Sequence, residues 1–216
     1  MASDLMTPAA VSPARLKREL ERAVRACTAC ELYSGRTTPV VGEGPFDARL
    51  MVVGSKPRRH EDLQGRPFAG GTGNVLDQAL QVAGLDKQDV YLTTLVKCRP
   101  GDDRPATASE VEACSQHFRT QLRLVRPEVI VALGSFAASV LLRRPVSIER
   151  VAGYRLDIQG ITLIPTYHPA DAVRGVPQAA VTLRRDLTAA KAVLDGRLPT
   201  GAQTLAELRS RTAVGS

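Results

Sequence analysis

Tryptophan is absent from this 216-residue chain, and aromatic residues make up only 4% of it. Large aromatics normally dominate cores and interfaces, so each one here raises a question about its task. No apolar run approaches the roughly 20 residues that span a bilayer. The first dozen residues are small and polar, with Pro8 and Pro13, and contain no apolar signal-type stretch. These absences predict a protein with no membrane partner, not exported, and located in the cytoplasm. No internal repeat or low-complexity block is found, which excludes solenoids and arrays. Cysteine is scarce, at four residues. In a reducing compartment these are expected as metal ligands or free thiols and not as disulfides.

What is present is ordinary globular material, with 44% hydrophobic and 24% charged residues. The length suits one α/β domain and is short for two. A formal net charge of +7 and an isoelectric point near 9.6 suit a polyanionic partner. They equally suit a basic protein from an arginine-rich proteome.

The chain divides into a leader over residues 1–11, a domain over 12–196 and a tail over 197–216. Ser12 is placed to cap a helix that has Pro13 at its first position. Leu16, Leu20 and Val24 form its apolar stripe. Strands are expected at Leu50 to Val53, Val90 to Val96, Val129 to Leu133, Val151 to Ile158 and Ile161 to Pro165. Helices are expected at Asn74 to Ala83, from Thr107 (a T-x-x-E capping box with Glu110) to Leu124, at Phe136 to Leu142 and at Gln178 to Leu194. Polar loops fill Ser55 to Gly73 and Thr166 to Pro177. This alternation argues for a single-domain α/β fold, a mainly parallel sheet covered on both faces by helices. Ligands of such sheets sit beyond the C-terminal strand ends, where the loops after Gly54, Val96 and Pro165 emerge.

Cys27-x-x-Cys30 is a chelating pair, and Cys98 and Cys114 flank the segment after the second strand. Four thiolates from two separated segments can close a tetrahedral sulfur site. Zinc and iron–sulfur both fit that donor set, and spacing alone does not separate them. Zinc ribbons favour two short CxxC hairpins, and the second pair is too widely spaced for that.

Several ordered segments together resemble the iron–sulfur, family 4 branch of the uracil-DNA glycosylase superfamily. They are Cys27-Thr28-Ala29-Cys30, Val41-Gly42-Glu43-Gly44-Pro45, Glu61-Asp62 with Gly65-Arg66-Pro67-Phe68-Ala69-Gly70, Val96-Lys97-Cys98-Arg99-Pro100, Cys114, and Pro165-Thr166-Tyr167-His168-Pro169-Ala170. The resemblance spans about Cys27 to Leu194. It implies a uracil-DNA glycosylase-like fold, a structural [4Fe-4S] cluster on the four cysteines, DNA as partner and a monomeric enzyme associated with the nucleoid through DNA. It also implies hydrolysis of the N-glycosidic bond of a flipped base. Catalytic positions then fall on His168, as donor to the base oxygen that gains charge, and on Ser55 and Lys56. Gly54, Phe68, Thr94 and Arg58 would line the base, with Phe68 stacking on it. Gly71 in the Gly70-Gly71-Thr72-Gly73 run, Lys97, Arg99 and Arg174 would meet the DNA backbone, with Arg104 nearby. His60 and His117 receive no role.

The chain departs from that family at the reacting centre. Where the family usually reads Gly-Glu-Ala-Pro-Gly, this sequence reads Gly54-Ser55-Lys56-Pro57-Arg58, exchanging an acid for two cations. Where the family has Thr-Asn, it reads Thr93-Thr94, exchanging a carboxamide for a hydroxyl. Three readings stay open on sequence: a glycosylase with altered base choice, a weak or inactive DNA-binding homologue, and a glycosylase with lyase activity through Lys56. The Lys/Arg-rich insertion with its His that marks the covalent uracil-binding branch is missing.

Overall fold

The computed structural model describes residues 12–200. The expected leader and residues 201–216 of the expected tail lie outside the described residues. Ser12 caps α1 (Pro13–Arg25) as expected, its side chain accepting from the Arg15 amide. Its buried face is Leu20 and Val24. A single turn, α2 (Leu32–Gly35), follows the first cysteine pair.

The strands β1 (Leu50–Gly54), β2 (Val90–Thr94), β3 (Val129–Leu133), β4 (Leu156–Ile158) and β5 (Ile161–Thr166) form one sheet in the order β2-β1-β3-β5-β4. All pairings are parallel except β4 with β5. β1, β2 and β3 are buried along their whole length, which is why they read as unbroken apolar runs. Met51, Val53, Tyr91, Ile130 and Leu163 face one core layer. Leu50, Val52, Leu92, Val131 and Ile164 face the other. The period of two along each strand therefore sends alternate residues to helices on opposite faces.

The helices are α3 (Arg59–Gln64), α4 (Gly71–Val82), α5 (Ala108–Val125), α6 (Gly134–Leu141), α7 (Ile148–Val151), α8 (Pro169–Val173) and α9 (Ala179–Leu194). Three expectations are corrected here. Both polar loops contain a short helix, α3 in the first and α8 in the second. α4 begins three residues earlier than expected, so Gly71 to Gly73 form its first turn. The strand expected over residues 151–158 is shorter. Ile148 and Val151 bury at a helical spacing in α7, and Gly153, at φ 84°, turns the chain before β4.

β2 lies at the sheet edge, and an unprotected edge invites pairing with other chains. The segment from Val40 to Glu43 covers it. Val40 N donates to Lys97 O at 2.7 Å, and Glu43 and Leu92 exchange backbone hydrogen bonds at 2.9 and 2.7 Å. The close approach dictates a glycine next in sequence. At Gly44, φ is +127° and a Cβ would lie 2.4 Å from the Val90 carbonyl oxygen.

The α5 cap is the expected box. Glu110 N donates to Thr107 Oγ1 at 3.2 Å, and Thr107 N donates to Glu110 Oε2 at 2.8 Å. Thr107→Ala should lower stability by about 1 kcal/mol. In urea unfolding this appears as a lower midpoint with an unchanged slope.

Candidate active site and cysteine cavity

The C-terminal ends of β1, β2 and β5 bring Gly54, Phe68, Thr94 and His168 close together. Parallel pairing continues one step past the strands, with Leu95 N donating to Gly54 O at 3.0 Å and Val96 N to Ser55 O at 3.1 Å. These bonds fix the backbone at Ser55 and Lys56. A Cβ on Gly54 would lie 3.1 Å from the Phe68 ring and 3.4 Å from Thr94 Cγ2. Gly54 is therefore the floor on which these two side chains meet. Phe68 is buried and adopts φ 52°, unusual for a bulky residue. The start of α4 presses against it: a Cβ at Gly73 would sit 2.0 Å from Phe68 O. The Phe68 and His168 rings lie 6.3 Å apart between centroids, tilted by 43°.

His168 caps α8. Its Nδ1 accepts from the Ala170 amide at 3.0 Å, and its own amide donates to Asp171 Oδ2 at 3.0 Å. Accepting at Nδ1 requires a neutral ring whose proton is on Nε2. Burial pushes the His168 pKa down to about 3, and the nearby cations Arg58, Arg174 and Lys56 reinforce the shift. The ring thus offers an N–H donor with no charge of its own, amid three cationic side chains.

Lys56 Nζ is buried with no hydrogen-bond partner. Desolvation lowers its pKa; Arg58 and Arg99 push the same way, against Asp103 and Glu61. Thr94 is buried, and its hydroxyl donates to Val96 O at 2.8 Å. With that proton committed, Oγ1 can only accept from a ligand.

The carboxylates adjoining the cleft are engaged. Asp103 pairs with Arg99 at 2.8 Å, Asp171 pairs with Arg174, and Glu61 accepts from the Arg58 amide at 3.1 Å. Arg58, expected to line the base, reaches the surface; among the residues expected at the DNA backbone, Gly71 is exposed at the start of α4 and Arg174 reaches the surface. Arg99 is partly buried, and Arg104 forks onto Glu110 at 2.6 and 3.0 Å. Lys97 is a correction. It is 1% exposed and cannot meet a phosphate. Its Nζ donates to Thr93 Oγ1 at 2.8 Å, to Thr94 O and to Gln121 Oε1 at 2.6 Å.

All four cysteines are free and line one cavity beside α1 and α5. Val24, Val96 and Ala113 supply apolar wall; Arg36, Lys97 and His117 supply nitrogen. Arg36 Nη1 donates to Cys98 Sγ at 3.2 Å, and Lys97 N donates to Cys114 Sγ at 3.2 Å. Burial raises the Cys98 thiol pKa and takes that of Cys114 to about 11. Such thiols stay protonated until a metal displaces the proton. Among the described residues, no three His, Cys, Asp or Glu side chains are grouped as a site for a metal ion. The sulfurs line the walls of a cavity whose other polar groups are hydrogen-bond donors and cations, and this set suits an anionic thiolate-bound group. His117 Nε2 is buried here without a partner.

A family model described as the uracil DNA glycosylase superfamily matches residues 41–188. The type-4 uracil-DNA glycosylase of Thermotoga maritima is 42% identical over 153 residues, covering 70% of this chain and 80% of that protein. This chain belongs to the uracil-DNA glycosylase superfamily. It is a DNA N-glycosylase, a hydrolase of base-excision repair. The type-4 enzyme of Saccharolobus solfataricus is 37% identical over 183 residues, covering 81% of this chain and 84% of that protein. A type-5 uracil-DNA glycosylase of Pyrobaculum aerophilum is 34% identical over 155 residues, covering 64% and 67%. No helix among the described residues of this glycosylase is long and apolar enough to cross a membrane.

Sequence reasoning missed Arg36 and Gln121. Arg36 carries no motif signal beyond its nearness to the cysteine pair. Gln121 had one: it sits on the stripe Cys114, Phe118, Gln121, Val125, a lone amide on the buried face of α5.

The fixed tautomer makes a testable statement. His168 should remain neutral, with its proton on Nε2, at every pH well above 3 in imidazole ¹⁵N spectra. The unfolded chain takes up this proton near pH 6.5, so His168 should subtract stability as pH falls below 6.5 toward 3. A ring that titrates near 6.5 in the folded protein would refute this reading.

Proposed function

We propose that this glycosylase excises a flipped, damaged or deaminated base by stabilising it as a leaving anion, with uracil as the first candidate and a relaxed choice among related bases. The observation that carries the reading is the buried His168, whose Nδ1 accepts from the Ala170 amide and so leaves the proton on Nε2, with Lys56, Arg58 and Arg174 near it. Breaking an N-glycosidic bond leaves negative charge on the base and positive charge on the sugar. A preorganised N–H donor gains strength as its acceptor becomes anionic, and cations in a dry site add to this at longer range. Neutral His168 needs no proton transfer to act. Phe68 offers an aromatic wall for the flipped base, and Gly54 leaves room for both.

With the neighbouring carboxylates engaged, water attack is not assigned to a dedicated base. The cleft instead favours departure of the base ahead of water addition. Thr94 Oγ1 can accept one N–H from the base edge but cannot donate to a neighbouring carbonyl. That one-sided contact supports broader base choice than a carboxamide gives. Its relatives being named type-4 enzymes, Cys27, Cys30, Cys98 and Cys114 are read as holding a [4Fe-4S] cluster. When bound, the cluster would supply a rigid brace between α1, the end of β2 and α5, with no redox step required.

A second reading rests on Lys56. A buried amine without a hydrogen-bond partner, its pKa lowered by desolvation, can in its neutral form add to C1′ of the ring-opened abasic sugar and lose water to give an imine. That is lyase chemistry following excision.

One assay separates the possibilities. Labelled oligonucleotides containing uracil, hypoxanthine, xanthine or alkylated bases are incubated with the protein, with and without borohydride. Abasic product without trapping is expected. His168→Ala should slow single-turnover base release by about 10²–10³-fold. A trapped adduct lost in Lys56→Ala would establish the lyase, and binding without product on every lesion would identify an inactive homologue. Thr94→Asn should sharpen preference for uracil by about 1–3 kcal/mol, measured as a ratio of kcat/KM values between substrates.

A further inference from the structure

We infer that the outward face of α1 is a second DNA-contact surface, on which Arg18, Arg22 and Arg25 follow the phosphates of a strand running on from the flipped base. The inference takes from the reading above only that the polyanion is DNA. The three residues stand at i, i+4 and i+7, which places them on one side of the helix. Leu20 and Val24 bury the other side in a cluster with Val41, Phe46 and Leu124. All three arginines are exposed, and none forms an ion pair among the described residues. The helix has two acids to offer them. Glu19 is taken by Arg15 at 2.8 Å, and Glu21 is half-buried. Like charges at i, i+4 weaken a helix, so the row is a local conflict that an anion outside the protein would relieve. Arg22 and Arg25 complement the dipole in the last turn of α1, but Arg18 lies outside that turn and gains nothing from it. From Arg18 to Arg25 the helix rises about 10 Å, the axial length of roughly three phosphates on one strand of duplex DNA.

The row is fixed relative to the active site. Arg36 donates to Arg25 O at 2.6 Å and to Cys27 O at 3.1 Å, which holds the end of α1. The next residue, Thr37, donates its amide to both carboxylate oxygens of the buried Asp62 in α3, at 3.0 and 3.1 Å. A Cβ on Gly65, which ends α3, would lie 2.8 Å from Thr38 Cγ2. The segment Arg36 to Thr38 therefore joins α1 to α3. Arg59 opens α3, exposed and without an ion pair among the described residues, and α3 lies in the loop that carries Lys56 and Phe68. A duplex seated on the active site thus meets a second set of cations at a fixed offset.

The test measures binding of the full chain to a labelled uracil-containing duplex over a salt series, and single-turnover base release from the same duplex. Arg18→Gln/Arg22→Gln is compared with Arg143→Gln/Arg144→Gln, which removes the same charge just beyond the C-terminal end of α6. Glutamine is a good helix former, so the α1 pair should keep the wild-type urea midpoint. It should bind DNA roughly tenfold more weakly, and its slope of log K against log salt should be shallower by about two. Its base release at saturating protein should match the wild type, and the α6 pair should keep the wild-type slope. A wild-type slope in the α1 pair, or an equal change in the α6 pair, would overturn this inference and leave the proposed function standing. A wild type that binds duplex but releases no base would overturn the proposed excision, while the slopes still decide this inference. A wild type that binds no DNA would overturn both.

Discussion

One buried polar knot connects the parts of this glycosylase that matter to its chemistry. Gln121, in the C-terminal part of α5, donates to Val41 O and to Tyr91 Oη and accepts from Lys97 Nζ and Thr93 Oγ1. Four chain segments meet there: the strip that covers the sheet edge, strand β2, the segment leading to Cys98, and the helix that carries Cys114. A buried polar network of this kind is costly unless each member is satisfied. Satisfied, it admits one arrangement of the segments and fixes the end of β2 relative to the cysteine cavity.

The cleft on the other side of β2 follows a different electrostatic rule. It gathers positive charge and keeps its histidine neutral. Burial, reinforced by the three cations, holds the imidazole neutral, and the α8 amide at Ala170 selects the tautomer. The acid expected from the family is replaced by Ser55, Lys56 and Arg58 add positive charge, and the remaining carboxylates are taken up by arginines or backbone. Such a site is poorly built to activate water but well built to receive a departing anion. Replacing an asparagine by Thr94, with its proton committed to Val96 O, removes half of a two-point reader while leaving the wall in place.

Much of this was legible from residue order. The apolar runs at Leu50, Val90, Val129 and Ile161 became the parallel core because strands buried on both faces need no polar alternation. Ser12 and the Thr107–Glu110 box marked helix starts through side-chain chemistry that acts within one turn. The short helices α7 and α8 were not legible. Ile148 and Val151 are β-branched and read as strand by propensity, while α8 depends on a histidine cap and on Asp171 accepting from the His168 amide. The placement of Lys97 was least accessible. A lysine between Val96 and Cys98, next to Arg99, reads as part of a basic surface, and only the fold turns it inward toward Gln121. The gathering of Gly54, Phe68, Thr94 and His168 was implied by family resemblance, but the glycine's role as shared floor required the geometry.

Cys27, Cys30, Cys98 and Cys114 line one cavity and are read as holding an iron–sulfur cluster. Iron, zinc and acid-labile sulfide analysis of anaerobically purified wild-type protein tests this reading most directly. The expected result is a coloured protein with about four irons and four sulfides per chain. A colourless protein containing one zinc and no sulfide would contradict it.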